Sequence, residues 1–167
     1  GEALDGSGGV VTAPNIQFRR ATVESIFDAG GGVDIINAGA GNDTLLANSE
    51  NDEIYAGAGD DRIFAGGGDD TIVAGSGNDY VKGGTGVDTF IFARGMDRDY
   101  MVSYERGTDV LRINSNLLDG ETEGWQVVQN YAYCAGRHVI FDFGNGDQIV
   151  FAYAQHIGGF SGDIEIF

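Results

Sequence analysis

Between Ala29 and Ile91 the apolar and polar positions repeat every nine residues. Read in nines, this stretch runs AGGGVDIIN, AGAGNDTLL, ANSENDEIY, AGAGDDRIF, AGGGDDTIV, AGSGNDYVK and GGTGVDTFI, seven units without an insertion. The eighth place is always apolar, held by Ile36, Leu45, Ile54, Ile63, Ile72, Val81 and Phe90. The last three places of a unit are too short for a helix and rich in β-branched and aromatic residues, so they predict a brief strand that turns one side chain inward. Glycine fills the second and fourth places of every unit but the third, where Asn48 and Glu50 stand. Repeated glycine permits positive φ and close backbone approach, so the first six places predict a tight turn. Two such turns and two strands complete one coil of a solenoid, with apolar side chains inside and turns along both edges.

Outside the repeat the pattern changes. In residues 1–28 the segment NIQFRRATVESIF keeps the register imperfectly, with Phe27 at the apolar place and Ser25 at the sixth place, which predicts an N-terminal cap over the open end of the solenoid. After Ile91, residues 92–167 alternate over longer segments, DYMVSYERGTDVLRI, GWQVVQNYAY and RHVIFDFGNGDQIVF, which read as antiparallel strands of a C-terminal cap. Gly144 to Asp147 predicts a hairpin turn between strands at 138–143 and 148–151, and SNLLDG one short helical turn. The ninth places Leu46, Tyr55, Phe64, Val73 and Ile91 are unusually apolar for a solvated face, and the C-terminal strands are the expected cover.

Composition narrows the possibilities. Acidic residues outnumber Lys and Arg by 26 to 9, for a formal net charge of −17. That balance argues against nucleic acid or an anionic membrane as partner and favours bound cations. A hydrophobic fraction of 42% argues against a disordered acidic tail. The single Cys134 cannot form an intramolecular disulfide and is expected as a buried thiol. No run approaches the roughly 18 apolar residues of a membrane span, and the first residue is Gly1, so the chain reads as a module of a longer protein.

The sixth place is always Asp: Asp34, Asp43, Asp52, Asp61, Asp70, Asp79 and Asp88. The fifth place varies among Val, Asn and Asp, so the demand is specific to the sixth. These units resemble the RTX family, whose repeat is GGxGxDxUx. The resemblance implies an all-β, right-handed parallel β-roll with a C-terminal antiparallel cap. It also implies calcium held between turns on the same edge by the seven aspartates and by the backbone of Gly39, Gly41, Gly57, Gly59, Gly66, Gly68, Gly75, Gly77, Gly84 and Gly86. Alternate units pair: Asp34 with Asp52, Asp43 with Asp61, Asp52 with Asp70, Asp61 with Asp79 and Asp70 with Asp88. Calcium needs more oxygens than one turn supplies, so about three to five ions are expected. Asn48 and Glu50 are expected to distort the sites sharing Asp52, or Glu50 to add a ligand.

Residues 29–91 carry eleven acidic side chains against Arg62 and Lys82. Stacking them about 4.8 Å apart is repulsive until a cation intervenes, so folding triggered by calcium is expected. The resemblance further implies export through type I secretion machinery, folding outside the cell, and a secreted or cell-surface parent protein. The run from Asp163 to Phe167 is similar to the endings of such exported chains, and a plain edge strand is the alternative.

His138, His156, Cys134, Ser7, Ser25 and Ser103 form no nucleophile, zinc or triad pattern, and the glycine runs lack the Lys and Ser or Thr of a phosphate loop. No catalysis by this segment itself is expected. One alternative is an accessory module of a secreted polysaccharide-modifying or hydrolytic enzyme, with Trp125, Tyr131 and Tyr133 near Arg112 and Arg137 touching sugar. The other is the terminal segment of a surface adhesin; the irregular seventh places, Ile35, Thr44, Glu53, Arg62, Thr71, Tyr80 and Thr89, argue against an ice-binding ladder.

Overall fold

The structure, a computed structural model, describes residues 24–120, 123–154 and 158–167. Most of the expected N-terminal cap, together with Ser7 and His156, therefore lies outside the described residues.

The end of the expected N-terminal cap forms β1 (Ile26–Asp28), and the repeats form β2 (Ile35–Ala40), β3 (Thr44–Leu46), β4 (Glu53–Ala58), β5 (Arg62–Gly67), β6 (Thr71–Ser76), β7 (Tyr80–Thr85) and β8 (Thr89–Phe92). β1, β3, β5 and β7 pair in parallel in one sheet. β2, β4, β6 and β8 do so in the other. Ile36 lies beside Ile54 and Ile54 beside Ile72 in one sheet, as Leu45, Ile63 and Val81 do in the other. One coil is therefore two nonapeptides, and the architecture is the predicted parallel β-roll.

The strands are longer than the hydrophobic pattern suggests. β2, β4, β5, β6 and β7 each span six residues, running through the last three places of one unit and the first three of the next. The turn proper is only the fourth to sixth places. Glycine at the second place explains the difference, since it bends the extended chain without ending its pairing. Gly57 has φ 116° and Gly75 φ 113°, and Gly57 pairs with Gly39 on one side and with Gly75 on the other. A Cβ on Gly75 would collide with the Gly57 carbonyl oxygen. Where Asn48 occupies this place, with φ 82°, β3 stops at Leu46.

The core is also denser than one aliphatic per unit. Besides the eighth-place residues, the first-place alanines Ala29, Ala38, Ala47, Ala56, Ala65 and Ala74 are buried. The seventh unit has Gly83 there, and a Cβ on it would collide with the Asp88 carboxylate and sit 2.8 Å from the ring of Phe90. The largest eighth-place side chain is thus matched by the smallest first-place residue, conserving volume in a close-packed interior.

The C-terminal region adds β9 (Arg98–Val102), β10 (Val110–Ile113), a 3-10 turn at Ser115–Leu117, α1 (Gly124–Tyr131), β11 (Ala132–Ala135), β12 (His138–Asp142), β13 (Gln148–Phe151), a 3-10 turn at Phe160–Gly162 and β14 (Ile164–Ile166). The hairpin between β12 and β13 and the turn in SNLLDG are as predicted. Among the described residues, antiparallel pairing is confined to β11, β12 and β13. β9 joins β7, β13 joins β9, β10 joins β8 and β14 joins β10, all in parallel. The region therefore prolongs both sheets end-on instead of covering their faces, and Leu46, Phe64, Val73 and Ile91 stay half-buried and Tyr55 exposed.

The segment GWQVVQNYAY, predicted as strand, is mostly α1. A capping box between Glu123 and Gln126 starts the helix, and Val127 is its buried residue. Cys134 is exposed, correcting the expected buried thiol, because β11 is the edge strand of the eight-stranded sheet. The cap core is aromatic. Phe160 packs 4.6 Å from Phe151 and 5.5 Å from Phe141 between ring centroids, and Tyr104 bridges this cluster to Phe90 of the roll at 5.8 Å.

Candidate metal centre

Each sixth-place aspartate sits where a turn enters a strand, so its side chain points back beneath the preceding turn on the same edge. From Asp52 onward, its Oδ1 accepts a hydrogen bond from the backbone N–H of the aspartate eighteen residues earlier. On one edge the donors and acceptors run from Asp34 to Asp52 (2.7 Å), Asp52 to Asp70 (2.8 Å) and Asp70 to Asp88 (3.1 Å). On the other they run from Ser25 to Asp43 (2.8 Å), Asp43 to Asp61 (2.7 Å) and Asp61 to Asp79 (2.8 Å). The five pairs that the resemblance implies are joined by these rungs, and Ser25 takes the place of an aspartate at the first one. Asn48 and Glu50 shorten β3 but do not lengthen the rungs through Asp52. The rungs through Asp52 are as short as the rest, because both residues adopt the positive φ of the glycines they replace. Glu50 is exposed.

The seven aspartates are at most 1% exposed. Oδ2 of Asp43, Asp52, Asp61, Asp70, Asp79 and Asp88 is buried with no hydrogen-bond donor. A buried acceptor left in that state is costly, the more so when charged. Burial accordingly pushes the carboxyls up, with peptide N–H bonds opposing and neighbouring carboxylates adding to the rise. Asp52, Asp79 and Asp88 are raised to about 6 and Asp61 and Asp70 to about 7.

The aspartate rows extend past the last nonapeptide, beyond the residues expected from the repeat. The rows continue to Asp99, which accepts from Asp79 N–H at 3.0 Å, and to Asp109, which accepts from Asp88 N–H at 3.1 Å. Counting on in nines lands on Asp97 instead, which is exposed with φ 57°. The available signal was the Asp-x-apolar triplet. Asp99-Tyr100-Met101 and Asp109-Val110-Leu111 repeat it, and Met101 and Leu111 are buried like the eighth-place residues. An outer ladder was also missed. The exposed fifth-place side chains of Asn42, Asn51, Asp60 and Asp69 accept from the N–H of the next turn on their edge. Asp60 is held below the usual carboxylate range by its bonds from Asn78.

The donor set is all oxygen. Among the described residues no group of three His, Cys, Asp or Glu side chains converges, so each interval offers the carboxylates of two aspartates. Such a set suits a hard cation such as calcium and does not suit zinc or copper. The donorless buried oxygens are the specific mark of fit.

The other candidates are dispersed. Arg112 lies on the six-stranded sheet, 3.4 Å from Glu165 and over the ring of Phe167. Tyr133 is on the edge of the other sheet, Trp125 is exposed on α1, and the Tyr131 hydroxyl accepts from Asp119 N–H. The His138 ring lies 6.0 Å from that of Tyr153, tilted by 49°, and Ser103 lies just after β9 with φ 68°.

Comparison with known proteins agrees with this geometry. A model of the RTX calcium-binding nonapeptide repeat matches four times, at residues 28–63, 37–72, 55–90 and 64–98. No curated protein matches the chain. Among solved structures, the extracellular lipase LipA from Serratia marcescens is similar over 88% of this chain and 39% of its own, with a TM-score of 0.51 and 14% identity. The chain thus spans well under half of that lipase, and the likeness is one of fold. A solution structure of a subunit of the mannuronan C5-epimerase from Azotobacter vinelandii is similar over 92% of this chain and 77% of its own, with a TM-score of 0.40 and 17% identity.

Proposed function

Since residues 28–98 are RTX calcium-binding nonapeptide repeats, we propose that this chain is a calcium-dependent β-roll module that folds when it meets the ion and serves the export, folding and stability of a larger secreted protein. The carrying observation is the row of buried carboxylate oxygens without donors on each edge of the roll. Asp34, Asp52, Asp70 and Asp88 on one edge, and Asp43, Asp61 and Asp79 on the other, are the residues to hold the ions, with turn carbonyls around them. Bound calcium supplies positive charge between carboxylates that otherwise repel. The peptide N–H bonds to Oδ1 orient each carboxylate in advance, and the stacked glycine turns bring neighbouring carboxylates within reach of one ion.

No such arrangement exists in the unfolded chain, so the binding free energy counts toward folding. An acidic chain in a calcium-poor cytoplasm would stay unfolded for passage through a type I exporter and fold outside. Circular dichroism of the chain in calcium and in excess EDTA tests the reading. Strand signal is expected only with calcium, and equal signal in both overturns it.

A second reading has its own observation. Arg62, Lys82 and Arg98 lie on the outer face of one sheet with Phe64, Tyr80 and Tyr100, and the outward positions of β5, β7 and β9 carry no acid. Arg98 sits over the Tyr100 ring. A cationic, aromatic strip on so acidic a chain suits an acidic polysaccharide, as expected of an accessory module. Titration with a polyuronate in calcium should show binding that Arg62→Ala combined with Lys82→Ala abolishes; no binding by the unmodified chain removes this reading.

A further inference from the structure

We infer that Asp79 and Asp99 form a further site for a hard divalent cation where the roll meets its C-terminal region, and that the opposite row ends at Asp109 without one. The inference rests on the calcium reading above and extends it beyond the nonapeptides, which end before Asp99.

The two row ends start alike. Asp99 accepts from Asp79 N–H and Asp109 from Asp88 N–H, each through Oδ1. Their second oxygens differ. Oδ2 of Asp109 accepts from Glu105 N–H at 2.8 Å, so both its oxygens are held by peptide groups of its own surroundings. Oδ2 of Asp99 has no N–H donor, nor has Oδ2 of Asp79, and the two residues are 0% and 1% exposed. The interval between them thus repeats the donorless buried oxygens of those within the repeat, here with the two carboxyl groups in hydrogen-bond reach of each other, and the interval ending at Asp109 does not.

The cap builds this end of the row deliberately. Asp79 and Asp99 are twenty residues apart where the repeat uses eighteen. The two extra residues are absorbed in a loop pinned by Asp147, whose Oδ1 accepts from Gly95 N–H at 3.0 Å and Asp97 N–H at 3.2 Å. On its far side Asp99 is level with Ile149 of β13, so the row stops there. One ligand comes from the last turn of the roll and the other from the cap, so a cation between them fastens cap to roll.

The competing account is a neutral carboxylic acid at Asp99, and Asp99→Asn separates the two because its carboxamide imitates that neutral acid. Native mass spectrometry of the full chain in calcium counts the ions. We expect Asp99→Asn to hold one fewer ion than wild type and Asp109→Asn to hold the wild-type number. Equal counts for wild type and Asp99→Asn overturn this inference alone, as does loss of an ion in Asp109→Asn. A wild-type chain that holds no ion overturns the calcium reading with it. Should Asp99→Asn fail to fold, anomalous diffraction from wild-type crystals grown in calcium decides. A peak between Asp79 and Asp99 supports the site, and peaks only between the earlier aspartates overturn it.

Discussion

A single aspartate of the roll carries two opposed demands. Asp61 gives one oxygen to the Asp43 N–H and keeps the other buried without a donor, between the like charges of Asp43 and Asp79. Replacing it with Asn should therefore act with opposite sign in two conditions. In EDTA, Asp61→Asn relieves repulsion and raises residual structure; in calcium it lowers ion affinity by about tenfold or more, near 1.4 kcal/mol. Isothermal titration and chelator-dependent melting read the two effects. Asp60→Asn, on the exposed outer ladder, should leave ion affinity unchanged. Glycines divide in the same way. Gly75→Ala meets both a positive φ and the Gly57 carbonyl and should cost roughly 3 to 5 kcal/mol. Gly136→Ala has φ 65° but open space around it and should cost only about 1 kcal/mol by denaturant melting in calcium.

At the level of the elements, stacked turns make the roll sensitive to pH. The carboxyls of Asp52, Asp61, Asp70, Asp79 and Asp88 are raised by burial to about 6 or 7, above their unfolded value near 3.8. The folded chain therefore binds more protons than the unfolded one between those values. Its stability without metal is greatest below pH 4 as far as these groups go, and falls as pH rises through 6 to 7. In EDTA the strand signal should be stronger at pH 4.5 than at pH 8, and calcium affinity should run the other way because protons compete for the same oxygens. A chelated chain with more structure at pH 8 than at pH 4.5 contradicts this. The repeat made these elements legible, since one place in nine is always apolar and another always Asp. What the pattern hid is local. Strand length depends on second-place glycines that bend without breaking pairing, α1 depends on a capping box beneath a β-rich composition, and Asp99 falls out of count because its loop gained two residues.

For the whole molecule, charge and packing pull against each other. A chain of net charge −17 lines two edges of a narrow core with buried aspartates, and its first-place alanines and eighth-place aliphatics must hold those edges together. The C-terminal region resolves one end by continuing both sheets and closing them over an aromatic cluster around Phe160. The sequence revealed the roll almost entirely and the cap only in part, because the cap's parallel strands come from distant segments that no local period connects. The central claim is that cations hold the turns in register. It is tested most directly by hydrogen exchange at the rung amides of Asp43, Asp52, Asp61, Asp70, Asp79 and Asp88 at neutral pH. We predict strong protection in calcium and near-unfolded exchange in excess EDTA; protection that survives EDTA unchanged would contradict the account.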